Sequence, residues 1–181
     1  MNLIVAVDKN WGIGNDGELL YHIPDDMKFF KKTTLNKVVI MGRKTFESLP
    51  GGKPLTQRTN IIMTSDKNYA ADTSAISGTS CASDGNVLIY RDLSELFNGL
   101  KKYDPEDIFV IGGKSIYELL LKYCSKAYIT KINGSKPADT FLTNIDKSDN
   151  WKLIYTSEVY KYDDLEYTFN TYQQIQTATY F

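Results

Sequence analysis

Two apolar runs in this sequence end in glycine and pass at once to cations, a pattern suited to holding phosphate. The first is VVIMGRKTFESL, residues 38–49, where Gly42 is followed by Arg43, Lys44 and Thr45. Cations in the first turn of a helix oppose its dipole by roughly 0.3–1 kcal/mol each. Either these two point into solvent, or they hold an external anion together with the exposed first-turn amides. The second run is IFVIGGKSIYELLL, residues 108–121, where Gly112 and Gly113 precede Lys114. Glycines there serve a tight strand-to-helix turn, or they let a ligand approach the backbone at the carboxyl end of a sheet. Two such corners, both cationic, suit a ligand with more than one phosphate, although the GxGxxG fingerprint is absent.

A third candidate is LLYHIPDDMKFFKK, residues 19–32. Pro24 opens a helix, and Asp25 and Asp26 lie at its positive end. Asp25 is expected to be the exposed, cap-like acid. Asp26 shares a face with Phe29 and Phe30, and a carboxylate against an aromatic wall is desolvated, which raises its pKa. Such a group can grip a proton-rich heterocycle or relay a proton; alternatively, both acids only stabilise the helix start. The loop Trp11-Gly12-Ile13-Gly14-Asn15-Asp16-Gly17 reads as a mobile, apolar-flanked lid or as an irregular surface loop. Arg58, just before the strand NIIM, is either solvated or a bidentate partner for a carboxylate. No Walker loop, GxSxG elbow or zinc-ligand cluster is present.

The elements that must position these groups alternate along the 181 residues. Strands are predicted over 2–7, 37–41, 59–63, 87–90, 107–111 and 126–133, and helices from Pro24, over 43–49, 93–102 and 114–123. Residues 8–23 read as a long loop. Two longer alternating runs, 151–160 and 165–174, read as antiparallel strands joined at Asp163-Asp164. Residues 72–85 read as a polar surface excursion. The fold class is therefore α/β: one domain over 1–181, with a mainly parallel central sheet of about eight strands, flanking helices and a C-terminal antiparallel hairpin.

Composition narrows the function. Lys plus Arg number 21 and Asp plus Glu 22, for a formal net charge of -1, which argues against nucleic acid as a partner. A single histidine, His22, leaves no His-based metal site, and no metal is expected. Cys81 and Cys124 read as reduced thiols in a cytoplasmic protein. No apolar run reaches the ~18 residues of a membrane span, and the N-terminal run meets Asp8 too early for a signal peptide. No apolar surface stripe is evident, so a monomer is expected.

In order along the chain stand VAVD, the WGIG lid, Y-x-I-P-x-D at a helix start, VIMGRKTFESLP, the Arg58-NII strand, VIGG-x-x-I-Y, AYIT and ADTF. From about Leu3 to Tyr172 this order and spacing resemble dihydrofolate reductase. The resemblance implies NADPH as cofactor and dihydrofolate as substrate, a hydride passing to the pteridine while the adjacent ring nitrogen gains a proton. It implies that Asp26 binds the amino-pyrimidine edge, with Thr130 supporting it through a hydroxyl and water and Tyr21 ordering a water. Ile4, Val5, Ala6, Ile111 and Tyr117 would border the reacting rings; Met27, Phe30, Leu49 and Leu55 would wrap the aminobenzoyl group; Arg58 would pair with the glutamate tail. For the cofactor it implies Ala6, Ile13 and Gly14 at the nicotinamide. Gly42, Arg43, Lys44 and Thr45, Thr64 and Ser65, and Gly112, Gly113, Lys114, Ser115 and Ile116 would serve its phosphates.

The sequence also departs from the family. Tyr21 stands where the family often has Trp, and Leu142-Thr143 where it often has an aromatic residue and Pro. Pro50-Gly51-Gly52-Lys53 lengthens the approach to Arg58, and 72–85 has no counterpart. Two rivals are a pyrimidine reductase of riboflavin synthesis, which needs neither the P-x-D helix start nor Arg58, and a non-catalytic module that senses NADPH.

Overall fold

The structure is a computed structural model and describes residues 1–69 and 86–178. The excursion expected over 72–85, and Cys81 with it, lies outside the described residues. Twelve strands and four α-helices are described: β1 Asn2–Val7, β2 Gly12–Asn15, β3 Glu18–Leu19, α1 Pro24–Thr34, β4 Val38–Gly42, α2 Arg43–Glu47, β5 Thr59–Met63, β6 Asn86–Tyr90, α3 Leu93–Leu100, β7 Ile108–Gly112, α4 Lys114–Leu120, β8 Lys126–Ile132, β9 Thr140–Phe141, β10 Trp151–Thr156, β11 Tyr160–Tyr162 and β12 Leu165–Gln174.

The main sheet runs β10-β12-β8-β1-β7-β4-β5-β6, with β11 also on β12. From β8 to β6 the neighbours are parallel, whereas β12 is antiparallel to β8, and β10 and β11 are antiparallel to β12. The expected class, parallel sheet plus antiparallel C-terminal strands, is the observed one. The continuous apolar runs follow from burial on both faces. On β4, Val38 and Ile40 join the largest core cluster, while Val39 and Met41 join a second one with Phe46 and Ile62.

Three expectations change. Residues 8–23 are not only loop: β2 pairs with β3 and with β9 in a small antiparallel sheet. Its glycines mask the alternation by which a strand is recognised, and one of its two partners, β9, lies more than a hundred residues downstream. The run 151–160 is not one strand but β10 and the start of β11. Beyond β10 the Ser157 N–H still donates to the Phe169 carbonyl (2.9 Å). The Ser157 hydroxyl then accepts from Phe169 N–H, taking the place of a backbone acceptor and ending the ladder. The helix expected over 114–123 is α4 followed by a 3-10 turn over Leu121–Tyr123. The turn at Asp163-Asp164 stands as expected, with Asp163 at φ 50° and Tyr162 opposite Leu165.

β1, β4, β7 and β8 run parallel, so their carboxyl ends share one edge of the sheet. That edge carries Ala6, Gly42, Gly112 and Thr130 near the strand ends. Open α/β sheets bind ligands on this side.

Candidate active site

Asp26 sits in the first turn of α1 and is half-buried. Burial raises its carboxyl pKa above the ordinary value, and a hydrogen bond from the Thr130 hydroxyl offsets part of that rise. Thr130 is buried on β8, opposite Ala6 of β1 on one side and Phe169 of β12 on the other. One row across three strands therefore supplies the hydroxyl and an aromatic wall. Phe29 closes the wall, its ring 4.6 Å from that of Phe169.

Asp25 has the opposite character. It is exposed, bonded to Lys28 Nζ (2.9 Å) and to the Tyr167 hydroxyl (3.2 Å), and these partners hold its pKa low. It is not the cap, because Ile23 occupies that position and no side chain caps α1.

Tyr117 is buried, and its hydroxyl donates to the Ile4 carbonyl at 3.0 Å. Burial drives its pKa up, with the Asp26 carboxyl adding to the rise, so the phenol stays protonated near that acid. Gly112 (φ 118°) admits the ring: a Cβ there would lie 3.2–3.3 Å from Tyr117 ring and hydroxyl atoms. Ile4 is buried, Val5, Ala6 and Ile111 half-buried.

Arg58 is 7% exposed. It donates to the Thr56 carbonyl (2.7 Å), the Lys31 carbonyl (3.0 Å) and the Thr34 hydroxyl (3.3 Å). Burial lowers its pKa, and no ion pair to it occurs among the described residues. A buried guanidinium held only by neutral acceptors keeps affinity for an external carboxylate. Phe30, Leu49 and Leu55 are half-buried, and Met27 is exposed.

The two glycine corners meet. A Cβ on Gly113 would come within 3.1 Å of the Thr45 hydroxyl, and one on Gly42 within 3.1 Å of the Ile116 side chain. The Gly112-Gly113 peptide is cis. Neither α2 nor α4 has a capping side chain, so their first amides remain open to an anion. Arg43 donates to both oxygens of Glu47 at 3.0 Å, and Lys114 lies 3.9 Å from Glu118. Lys44, Ser65 and Ser115 are exposed, and Thr64 is half-buried just past β5.

The lid strand β2 carries buried Ile13 and half-buried Gly14. It is anchored at both ends. The Asp8 carboxylate accepts from the Asn10 and Gly12 amides at 2.8 Å, and Asp139 accepts from the Asp16 amide at 2.9 Å. Leu142 N–H donates to the Trp11 carbonyl (2.9 Å), so the departure at Leu142-Thr143 leaves this backbone support in place.

Tyr21 joins Leu20, Ile23, Ile132 and Tyr167 in an apolar cluster, with Lys136 Nζ 4.4 Å from its ring centroid. Its hydroxyl end abuts Gly134, where a Cβ would stand 2.7 Å from the oxygen.

The family model for dihydrofolate reductase matches residues 1–174. The chain belongs to the dihydrofolate reductase family. It is 38% identical over 154 residues to the dihydrofolate reductase of Bacillus subtilis, covering 85% of this chain and 81% of that protein. It is 32% identical over 178 residues to that of Staphylococcus haemolyticus, covering 97% and 96%. A solved dihydrofolate reductase from Enterococcus faecalis, complexed with NADP(H) and RAB-propyl, superposes with a TM-score of 0.78 at 30% identity, over 97% of this chain and 96% of that one.

Sequence reading missed the supports of this reductase site. Thr34 braces Arg58 from 24 residues away, while Asn60 and Asp8 brace the loops next to them in sequence. Asn60 clasps the loop before Arg58, accepting from Leu55 N–H and donating to the Leu55 carbonyl, both at 3.0 Å. Asp8, an acid at the end of an apolar strand, was the one support with a visible local signal.

Proposed function

We propose that this dihydrofolate reductase seats the pteridine of dihydrofolate on Asp26, with NADPH as its cofactor. The observation that carries the assignment is a half-buried acid with a raised pKa, braced by Thr130 and walled by aromatics, beside the glycine corners. A carboxyl in that setting hydrogen-bonds an amino-pyrimidine edge and keeps a proton at higher pH than a solvated one. Phe30, Met27, Leu49 and Leu55 line the path of the aminobenzoyl ring, and Arg58 takes the glutamate tail at its far end. Ile4, Val5, Ala6, Ile111 and Tyr117 form the floor beneath the reacting rings. Tyr21, whose hydroxyl lies beside Gly134, would order a water near the carboxyl.

The corners fit a dinucleotide. Gly42 and Gly113 lack the Cβ atoms that would crowd Ile116 and Thr45, and the uncapped amides face the same edge. Gly112, Gly113, Lys114, Ser115 and Ile116 with Thr45 would hold the pyrophosphate, and Arg43, Lys44, Thr64 and Ser65 the adenosine 2′-phosphate end. Arg43 then exchanges Glu47 for phosphate, or bridges both. Ala6, Ile13 and Gly14 would border the nicotinamide. NADPH, when bound, supplies the hydride. The chain supplies orientation, exclusion of water by β2, and a proton held at Asp26.

The test is loss of absorbance at the NADPH band on adding dihydrofolate, compared with a ribityl-pyrimidine. Turnover of dihydrofolate alone is expected. No turnover, or preference for the ribityl-pyrimidine, contradicts the assignment.

A further inference from the structure

The first turn of α1 carries Asp26, yet it begins without a cap. Ile23 occupies the cap position and offers no side-chain hydrogen bond, and Pro24 follows it. The first amides of such a helix lack side-chain partners, and an uncapped end frays. What steadies this one comes from the far end of the chain. The Tyr167 hydroxyl donates to Asp25 Oδ2 at 3.2 Å, across 142 residues.

Tyr167 is a rigid donor. It is 1% exposed and stands in β12 between Ile132 of β8 and Tyr160 of β11. Its ring is stacked on that of Tyr160 (5.8 Å) and edge-on to that of Phe169 (5.7 Å). Phe169 lies two residues further on, so it shares a face of β12 with Tyr167. Phe169 also packs on Phe29 of α1 (4.6 Å) and lies opposite Thr130. One face of one strand therefore holds α1 twice: Phe169 through Phe29, and Tyr167 through Asp25, the neighbour of Asp26. Asp25 has a second partner, Lys28 (2.9 Å), but that pair is exposed and stays within the helix. It exchanges with water readily, whereas the bond from Tyr167 crosses from sheet to helix.

We propose that Tyr167 is a positioning residue for the reductase reaction: its hydroxyl, through Asp25, fixes the first turn of α1 so that Asp26 stays on Thr130 and against the aromatic wall. This rests on the reading of Asp26 as the acid that seats the pteridine. Without the hydroxyl the turn loosens and water reaches Asp26. Burial is the larger influence on that carboxyl and the Thr130 hydrogen bond the smaller, so its pKa falls back towards the ordinary value. The charges beside it on α1 are Asp25 and Lys28. The titratable groups facing it from other elements are Tyr117 of α4 and Tyr167 itself, both pushed up by burial, with Tyr160 of β11 behind them, pushed up by Glu158. All three phenols stay protonated near neutrality, so a shifted limb there reports on Asp26.

The test is the pH–rate profile of NADPH-dependent dihydrofolate reduction by the full chain. Tyr167→Phe keeps the ring and removes only the hydroxyl. Its descending limb should move towards acid by about half a pH unit or more, the scale on which one hydrogen bond acts, with KM for dihydrofolate up roughly tenfold and KM for NADPH unchanged. Asp25→Ala, at an exposed position, should give the same shift, and the double variant no more than either alone. Lys28→Met, which removes only the exposed pair, should keep the parent profile. A limb that stays in place in Tyr167→Phe and Asp25→Ala overturns the proposal, even where the melting temperature falls, since a merely structural contact does that. An equal shift in Lys28→Met, or additive shifts in the double variant, overturns it too. Asp26→Asn separates the underlying reading. If it turns over at the parent rate, Asp26 is not the acid and both readings fall. If it is slow and lacks the limb while Tyr167→Phe keeps the parent profile, only this proposal falls.

Discussion

Asp25 and Asp26 are adjacent in sequence and opposite in chemistry, because one step around the helix moves a carboxylate from solvent to an aromatic wall. That split has a consequence for stability. Burial raises the Asp26 pKa in the folded protein above its unfolded value, so the folded state binds the proton more tightly. Stability from this group is full below the unfolded pKa, near 3.8, and declines as pH rises towards the folded one. Above that, the buried charge is a standing cost. Asp26→Asn is therefore expected to melt higher at neutral pH, by about 2–4 °C for each kcal/mol relieved, and the advantage should vanish in acid. Thermal melts at several pH values check this, and a variant that melts lower at pH 7 contradicts it. Arg58→Leu is expected to weaken dihydrofolate by the roughly 1.5–3 kcal/mol of a charged hydrogen bond, about ten- to hundredfold, with NADPH little affected. Comparison with a substrate lacking the glutamate tail isolates the contact, since that substrate should bind parent and variant alike. Asp26 was legible because its helix face was. Thr34, which steadies Arg58 from 24 residues away, was not, because no local pattern links a threonine to a distant guanidinium.

At the scale of elements, the strand-to-helix corners were readable from glycine and charge. What the sequence could not show is that they touch. The 3.1 Å between a Gly113 Cβ and the Thr45 hydroxyl makes Gly113→Ala a direct probe. Overpacking of this kind costs about 1–3 kcal/mol, and KM for NADPH should rise roughly tenfold while KM for dihydrofolate stays near the parent value. Adding Thr45→Ala should recover part of the loss; no recovery would show that the two corners are not in contact. The lid was readable as a segment but not as a strand, since β2 is glycine-rich and its partner β9 is only two residues long. Its root rests on Asp8, whose Oδ1 accepts two amides. Asp8→Ala leaves both unpaired, and faster hydrogen exchange at the Asn10 and Gly12 amides is the expected readout.

Across the whole molecule, the order of β-branched runs and amphipathic stretches gave the parallel sheet directly, because strands covered on both faces have little choice of residue. The sheet's outer margin was hidden. Residues 151–162 alternate much as a half-buried strand does, yet in the fold Trp151 is buried while residues 152–156 and 160–162 are exposed. The proposed catalysis belongs to the carboxyl edge of the parallel strands, where it would rest on one proton at Asp26. The most direct test is the pH–rate profile of NADPH-dependent dihydrofolate reduction in the parent and in Asp26→Asn. The parent rate should fall as pH rises past the raised Asp26 pKa, and the variant should run about a hundredfold slower or worse near neutrality, without that descending limb. A variant that turns over at the parent rate near pH 7, or keeps the same descending limb, would contradict the assignment of Asp26.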